Sequence, residues 1–378
     1  MTAITAFFRA AGQTFSAIFS DKGVVLLMVI APLFYALYYP LPYSTQIVRN
    51  VPVAVVDYAQ DSLSRQLIRM TTASPALSVR VVADERQAEQ QLLNNDVMAF
   101  MVIPHDLRRK VLAGRSATVN MIGNGNYILA SKSAQQGMAS AVLTLSAGIE
   151  IKRLKPLGLG DAKIQALRDP VPLLIQPLHN RNEGYGSYVV PAVAWLILQQ
   201  TLLIGCAMLV STWIEKRQAY AAPAVWLGRL TTISLVHYVL CLGYTGMMFR
   251  FWSYEAGGNP LGNVVLIALF SPAVASIGCL LGLIIKDRER AVQLLVFSAL
   301  PMYFVSGFSW PTALLPEVLQ YLRWTFPCTS AIQAGLSFNQ LGGTIADNRQ
   351  YLFALGIIAW VGLTVLFWFG RERKNRKN

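Results

Sequence analysis

Six stretches of this chain are apolar for about the length a helix needs to cross hydrocarbon: residues 23–42, 188–213, 230–249, 261–285, 291–308 and 351–370, the fifth being the shortest. A bilayer offers no water to an unpaired peptide group, so runs of about 20 such residues are read as spanning helices. Composition agrees, with 54% of the 378 residues hydrophobic and only 13% charged, against about 25% charged in ordinary soluble domains. More than half of the charged residues fall between positions 43 and 185. The chain therefore divides into a membrane part and a water-facing part rather than into two soluble domains.

Lysine and arginine in short flanks stay on the cytoplasmic side. Lys216, Arg217 and Arg229 separate the second and third runs, Lys286, Arg288 and Arg290 the fourth and fifth, and Arg371, Arg373, Lys374, Arg376 and Lys377 follow the sixth, whereas the opposite loops hold Arg250, Arg323 and Arg349. Both termini are expected inside, with 43–187 outside and 371–378 as a basic cytoplasmic tail. The first run, within 21–42, reads as a retained anchor, because "YYPLPYST" offers no small-x-small cleavage site. Ahead of it, residues 1–20 put Ile4, Phe7, Phe8, Ala11, Phe15, Ile18 and Phe19 at helical spacing with Arg9, Gln13 and Ser16 off that face, the pattern of an amphipathic helix in the membrane surface. That helix is either a simple anchor or a contact for a cytoplasmic partner.

In the water-facing region, "VPVAVVDY", "LSVRVV", "VMAFMVIP" and "ATVNMI" read as strands, and "DSLSRQLIRMT", "DERQAEQQLLNN" and "HDLRRKVLAG" as capped helices between them. Such alternation predicts a small α/β domain with a partly parallel sheet. From about 128 to 168 the pattern turns helical, and 169–187 reads as a proline-stiffened loop. Asp57, Asp61, Asp84, Asp96, Asp106, His105 and Glu183 are candidate acids and bases, yet none stands in a spacing that chemistry requires, and "GNGN" at 123–126 is a turn rather than a phosphate loop.

The sequence carries no GxxxxGK[ST], HExxH, GxSxG or Ser-x-x-Lys motif, and its three histidines make a metal cluster improbable. No catalytic residue and no metal ligand is assigned, so the chain is not expected to be an enzyme. Cys206, Cys241, Cys279 and Cys328 share no metal-like or disulfide-like spacing and read as small buried residues. The net charge of +13 is spent on membrane flanks, and a nucleic-acid partner is excluded. Within the spans, His237 beside Tyr238 is ionisable near neutral pH, as a hydrogen-bonded packing residue or a proton relay. Gln199, Gln200 and Thr201, central in the second run, must face another helix, a dimer seam or a wet translocation path. Between the fifth and sixth runs, "SGFSWPTALLPEVLQYLRWTFPCTSAIQAG" is apolar but broken by Pro311, Pro316 and Pro327. A seventh crossing would put the basic tail outside, so 309–340 is expected to be a re-entrant hairpin of two short helices, near 313–324 and 329–338. It would act as a lid or an outer gate, with Cys328 open to thiol reagents from the periplasm.

The amphipathic start, the outer domain opening with "VPVAVVDYAQDSLSRQL" and holding "NNDVMAFMVIPHDLRRKVLAGRSATVNMIGNGN", the clustered later spans, and "SGFSWPTALLPEVLQYLRWTFPCTS" before the last one resemble ABC-2-type permeases of bacterial ATP-binding-cassette exporters, in particular YhhJ-like inner-membrane transport permeases. The resemblance implies an α-helical inner-membrane protein with six transmembrane helices, an extracytoplasmic α/β domain inserted between the first and second, and a five-helix domain over 188–370. It implies pairing, as a homodimer or with a related permease, and a separate ATPase subunit that carries the ATP and Mg, this chain binding no cofactor. ATPase coupling would fall on the N-terminal helix (Phe7, Phe8, Phe15, Phe19) and on the loop 213–229, through Glu215, Lys216 and Arg217, residues that topology alone also explains. Membrane lipid is an expected partner and a periplasmic adaptor an open one. The function implied is export of a drug-like, lipid-like or other amphiphile. The alternatives are a non-transporting scaffold or sensor whose α/β domain binds an envelope partner, and an ion-coupled carrier using His237.

Overall fold

The computed structural model describes residues 2–174, 178–180 and 183–371. Arg373, Lys374, Arg376 and Lys377 of the basic tail lie outside the described residues, as do five positions of the 169–187 loop. The chain forms two compact units, one of Ile47–Gln176 and one of the flanking segments.

Helix α1 (Ala3–Ser20) is followed at once by α2 (Lys22–Tyr43). Asp21 separates them, its Oδ1 accepting the free N–H groups of Gly23 and Val24 at 3.0 and 3.1 Å and so capping the second helix.

The Ile47–Gln176 unit contains β1 (Val51–Asp57), α3 (Ser62–Thr72), β2 (Leu77–Val82), α4 (Glu85–Leu93), β3 (Ala99–Ile103), α5 (Leu107–Leu112), β4 (Asn120–Gly123), α6 (Ile128–Leu154) and α7 (Asp161–Arg168). The sheet order is β2-β1-β3-β4, with the first three strands parallel and β4 antiparallel to β3. Alternation along β1 builds two cores. Val51, Val53 and Val55 meet Leu67 of α3 and Met138 of α6, while Ala54 and Val56 meet Phe100, Val102 and Ala88 of α4. Asp61 starts α3 with a capping box, in which Ser64 Oγ also donates to Asp57 Oδ2 at 2.8 Å and ties the helix to the end of β1.

The second unit continues with α8 (Tyr185–Glu215), α9 (Pro223–Phe251), α10 (Pro260–Ile285), α11 (Arg288–Val305), α12 (Glu317–Leu322), α13 (Pro327–Leu336) and α14 (Arg349–Phe369). Helix α8 begins at Tyr185, inside the segment expected to be loop. It is the central helix, packed against α2, α10, α11 and α13. Among the described residues, five helices are long and apolar enough to cross a membrane: α2, α8, α9, α10 and α14. The run expected as a further span forms α11, whose first turn holds Arg288, Glu289 and Arg290. Its uncharged remainder, 291–305, is about 22 Å long at about 1.5 Å per residue, short of a hydrocarbon core of about 30 Å.

Close approach of α8 and α10 rests on two glycines four residues apart. A Cβ on Gly278 would lie 2.7 Å from that of Cys206, and one on Gly282 2.7 Å from that of Val210 and 2.9 Å from the Ala207 carbonyl. Small residues at this spacing let helix backbones meet where lipid gives no hydrophobic drive to associate. Gly282→Leu is expected to lower the thermal stability of the detergent-solubilised protein by about 1–3 kcal/mol, the usual range for overpacking. Gly356→Leu, at an α14 position with open space around its Cα, should leave the melting curve unchanged.

Candidate functional site

The ends of α8 and α14, the starts of α9 and α11, the α1–α2 junction and one turn converge at a single end of the bundle. Helix α1 lies along α9, with the Phe7 carbonyl and Ala10 against Gly228 and the Ala11 carbonyl accepting from Thr232 Oγ1 at 3.3 Å. The face of α1 turned inward is Ala10, Thr14 and Ile18 with Phe7 half-buried, while Ile4, Phe8, Phe15 and Phe19 are exposed. The single apolar stripe read from the sequence is thus divided between a helix contact and an open face. Phe15 and Phe19 stand together on that open face, ring centroids 4.8 Å apart.

The expected coupling loop 213–229 is mostly helix. Residues 213–215 end α8, 223–229 begin α9 with Pro223 in the first turn, and the turn between is short. Arg229 holds that turn, donating from Nη1 to the Ala219 carbonyl at 3.0 Å and from Nη2 to the Gln218 carbonyl at 2.6 Å. Its guanidinium lies over the rings of Trp213 and Trp226, at 4.1 and 4.8 Å. Trp226 Nε1 and the Ala221 N–H both donate to the Gly370 carbonyl, which attaches the end of α14. Glu215, Lys216 and Arg217 stand exposed on the outside of this knot.

Beside it, Asp21 and Arg288 form a two-pronged ion pair, Nη1 to Oδ2 at 2.6 Å and Nη2 to Oδ1 at 2.5 Å, and Arg288 Nη1 also donates to Thr212 Oγ1 at 3.2 Å. The α1–α2 junction, the end of α8 and the start of α11 are so joined. The guanidinium, helped by the Val24 and Gly23 N–H groups, holds the Asp21 carboxyl down at about 2. A polar cavity of about 490 Å³ separates α1 from the end of α8, with Gln13, Asp21, Lys216 and Arg229 on its walls.

In the middle of the bundle Gln199 Oε1 accepts the Cys328 N–H at 2.5 Å and Nε2 donates to Met302 Sδ at 3.1 Å. Gln200 Nε2 reaches Ser298 Oγ and the same sulfur, and Thr201 Oγ1 bonds back to the Ile197 carbonyl of its own helix. Both amides therefore face α11, and Gln199 faces α13 as well. The buried His237 Nε2 lies 3.2 Å from the Leu198 carbonyl, which can only accept, so Nε2 carries the proton and Nδ1 accepts from Ser271 Oγ at 2.9 Å. Tyr238 points elsewhere, into an open apolar cavity of about 590 Å³ between α9, α10 and α14.

Pro311, Pro316 and Pro327 each stand at the start of a helical turn: 312–314, α12 and α13. The first two are exposed and Pro327 is buried. The segment is pinned by Tyr188 Oη to the Phe308 carbonyl at 2.8 Å and by Gln333 Nε2 to the Ser306 carbonyl at 3.1 Å, with Trp324 stacked on Tyr351. Cys328 is fully buried. The expected reach of a thiol reagent is thereby corrected, because residue 328 sits at the inner end of α13 against Gln199 rather than on its open side. The reciprocal Asn263–Asn339 pair, at 2.6 and 3.1 Å, was not anticipated, nor were the structural roles of Asp21, Trp226 and Arg229.

A family model described as ABC-2 family transporter protein matches residues 22–369. The chain is also similar to the linearmycin resistance permease protein LnrN of Bacillus subtilis (strain 168), with 23% identity over 362 residues, covering 89% of this chain and 91% of the relative.

Because the folded Asp21 carboxyl titrates below the usual value of about 3.9, its contribution to stability is complete above about pH 4 and is lost as pH falls toward about 2. The stability difference between the parent protein and Asp21→Asn should be flat from pH 8 to pH 4 and shrink below it. A double-mutant cycle with Arg288→Gln at pH 7 should return a coupling of about 1 kcal/mol, the half-exposed setting keeping it modest. Additive effects would mean that the pair is geometric only.

Proposed function

The chain belongs to the ABC-2 transporter family, and on that premise we propose that it is the membrane-embedded permease subunit of an ATP-driven exporter. Permeases of this family work with an ATP-binding subunit, and ATP and Mg are assigned to that partner. The observation that carries the reading is the tied end of the bundle. The exposed residues Glu215, Lys216 and Arg217 and the open face of α1 adjoin a knot of Arg229, Trp213, Trp226 and Gly370 that joins the ends of α8, α9 and α14. A push delivered there by a closing ATPase pair cannot be absorbed by a slack loop and passes into the central helix.

Through α8 the displacement reaches Gln199, and through its bond to the Cys328 N–H it reaches α13 and the proline-broken segment. In this scheme α11 joins the five longer helices as a sixth, shorter span, 309–340 forms the re-entrant outer gate, and the Ile47–Gln176 unit faces outward, as the positions of lysine and arginine support. A path would open where a second permease pairs with this one. Work is done only if the substrate prefers one of the two states. The relative's name ties that protein to linearmycin resistance, a role that outward transport serves, and this supports export as the direction here.

Glu215→Ala combined with Arg217→Ala should lower substrate-stimulated ATP hydrolysis of the assembled complex severalfold while membrane insertion is unchanged, and full coupling in that variant would remove the docking role. A pull-down that brings no ATPase would favour a scaffold instead. For the outer segment, a membrane-impermeant maleimide should label Val318→Cys, an exposed position on α12, from the periplasmic side and leave the buried Cys328 unmodified. Labelling of Val318→Cys from the cytoplasm would overturn the orientation.

A further inference from the structure

Inside the Ile47–Gln176 unit, α3, α5 and the last turns of α6 enclose a cleft of about 760 Å³, within the range of about 300–1,000 Å³ typical of small-molecule sites. The residues that make it follow helical spacing: Leu145, Gly148, Ile149 and Lys152 share one face of α6, and Leu63, Gln66 and Arg69 one face of α3. Leu63, Val111, Leu145 and Ile149 supply an apolar floor. Arg69, Arg108, Lys152 and Arg153 supply the rim, and no aspartate or glutamate lines the cleft. Arg153 is drawn toward Gly114, which has a positive φ of 70° and whose Cβ position would be 3.4 Å from Nη2.

Among the described residues the ion pairs are Lys110–Asp106, Arg168–Asp169 and Arg288–Asp21. None of them neutralises a rim residue. Four cations gathered around one concavity repel each other and draw in an anion, while the floor takes up an apolar body. We propose that this cleft is a binding site for a small anionic amphiphile, a carboxylate, sulfate or phosphate head on the rim with an alkyl or acyl chain on the floor. The cleft is built only from residues of the Ile47–Gln176 unit and does not rest on the permease reading, so its failure would leave that reading standing.

The test uses the full-length protein in nanodiscs of zwitterionic phosphatidylcholine, with Leu112→Cys at the mouth of the cleft carrying an environment-sensitive dye. The four native cysteines are buried and leave that thiol as the accessible one. Decanoate should give a saturable signal and decanol none, with weaker binding at high salt as screening predicts. Arg108→Gln with Lys152→Gln should raise the dissociation constant by about tenfold or more, as expected when charge-assisted contacts are lost, whereas Arg115→Gln, outside the cleft, should not. Discs doped with phosphatidylglycerol and free of decanoate identify the source: a signal there means that a membrane lipid reaches the site, and a signal with decanoate alone means a soluble amphiphile. Equal responses to decanoate and decanol, an unaltered response in the double variant, or no response to either anion would overturn the proposal.

Discussion

A carboxamide in the middle of α8 carries more of this structure than its size indicates. Buried in an apolar bundle, Gln199 must find partners or cost several kcal/mol. It finds them on two other elements, the sulfur of Met302 and the N–H of Cys328. That N–H is one of the orphan donors at a helix N-terminus, so Gln199 acts as a cap supplied from a different helix. The requirement fixes where α13 can begin and which way it runs. The proline-broken stretch before it must then deliver the chain to that point, which three short turns do and one straight helix would not. The same layer keeps buried polar atoms without a partner among the described residues, Gln200 Oε1, Thr329 Oγ1 and Ser330 Oγ, so the middle of the bundle is polar as well as apolar.

Elements governed by local physics were legible in the sequence. Alternating valines in "VPVAVVD" and the Asp61 cap announce β1 and α3, and the parallel sheet follows from strands separated by helices. Long apolar runs announce the membrane helices, since hydropathy over about 20 residues integrates a constraint that every residue feels. The GxxxG spacing at Gly278 and Gly282 is as local a signal as these, and it went unread. What could not be read are pairings decided between distant positions. Asp21 looks like a helix cap and Arg288 like a topology signal, and each is one, but their two-pronged bond spans 267 residues of sequence.

One expectation is refined and one overturned for the same reason: one-dimensional periodicity does not say what lies opposite a face. The N-terminal helix has its apolar residues spread over more than one side, and α9 takes the side with small residues, Ala10 and Thr14, because backbones approach closest there. The large aromatics are left on the outside, where bulk is tolerated. The neighbours of Cys328 in a broken segment suggest an open position, whereas the residue is buried with its N–H on Gln199, 129 residues away.

The distribution of irregular helix points to where such a bundle can bend. Residues 26–30 of α2, 243–248 of α9 and 337–341 beyond α13 are π-helical, a form that loosens the regular ladder and often marks mobile or functional positions. The first two lie side by side, since Tyr244 Oη donates to the Pro32 carbonyl of α2. Thr245 Oγ1 satisfies the Cys241 carbonyl within α9 at 3.1 Å, so the irregularity there is hydrogen-bonded rather than frayed. Near α1 the opposite holds, with ion pair, cation–π stack and carbonyl bonds tying helix ends rigidly. Under the proposed function, a push at the stiff end would be taken up as bending at the three irregular segments. The moving parts of the bundle are therefore better sought around Pro32, Tyr244 and Asn339 than in the turn between α8 and α9.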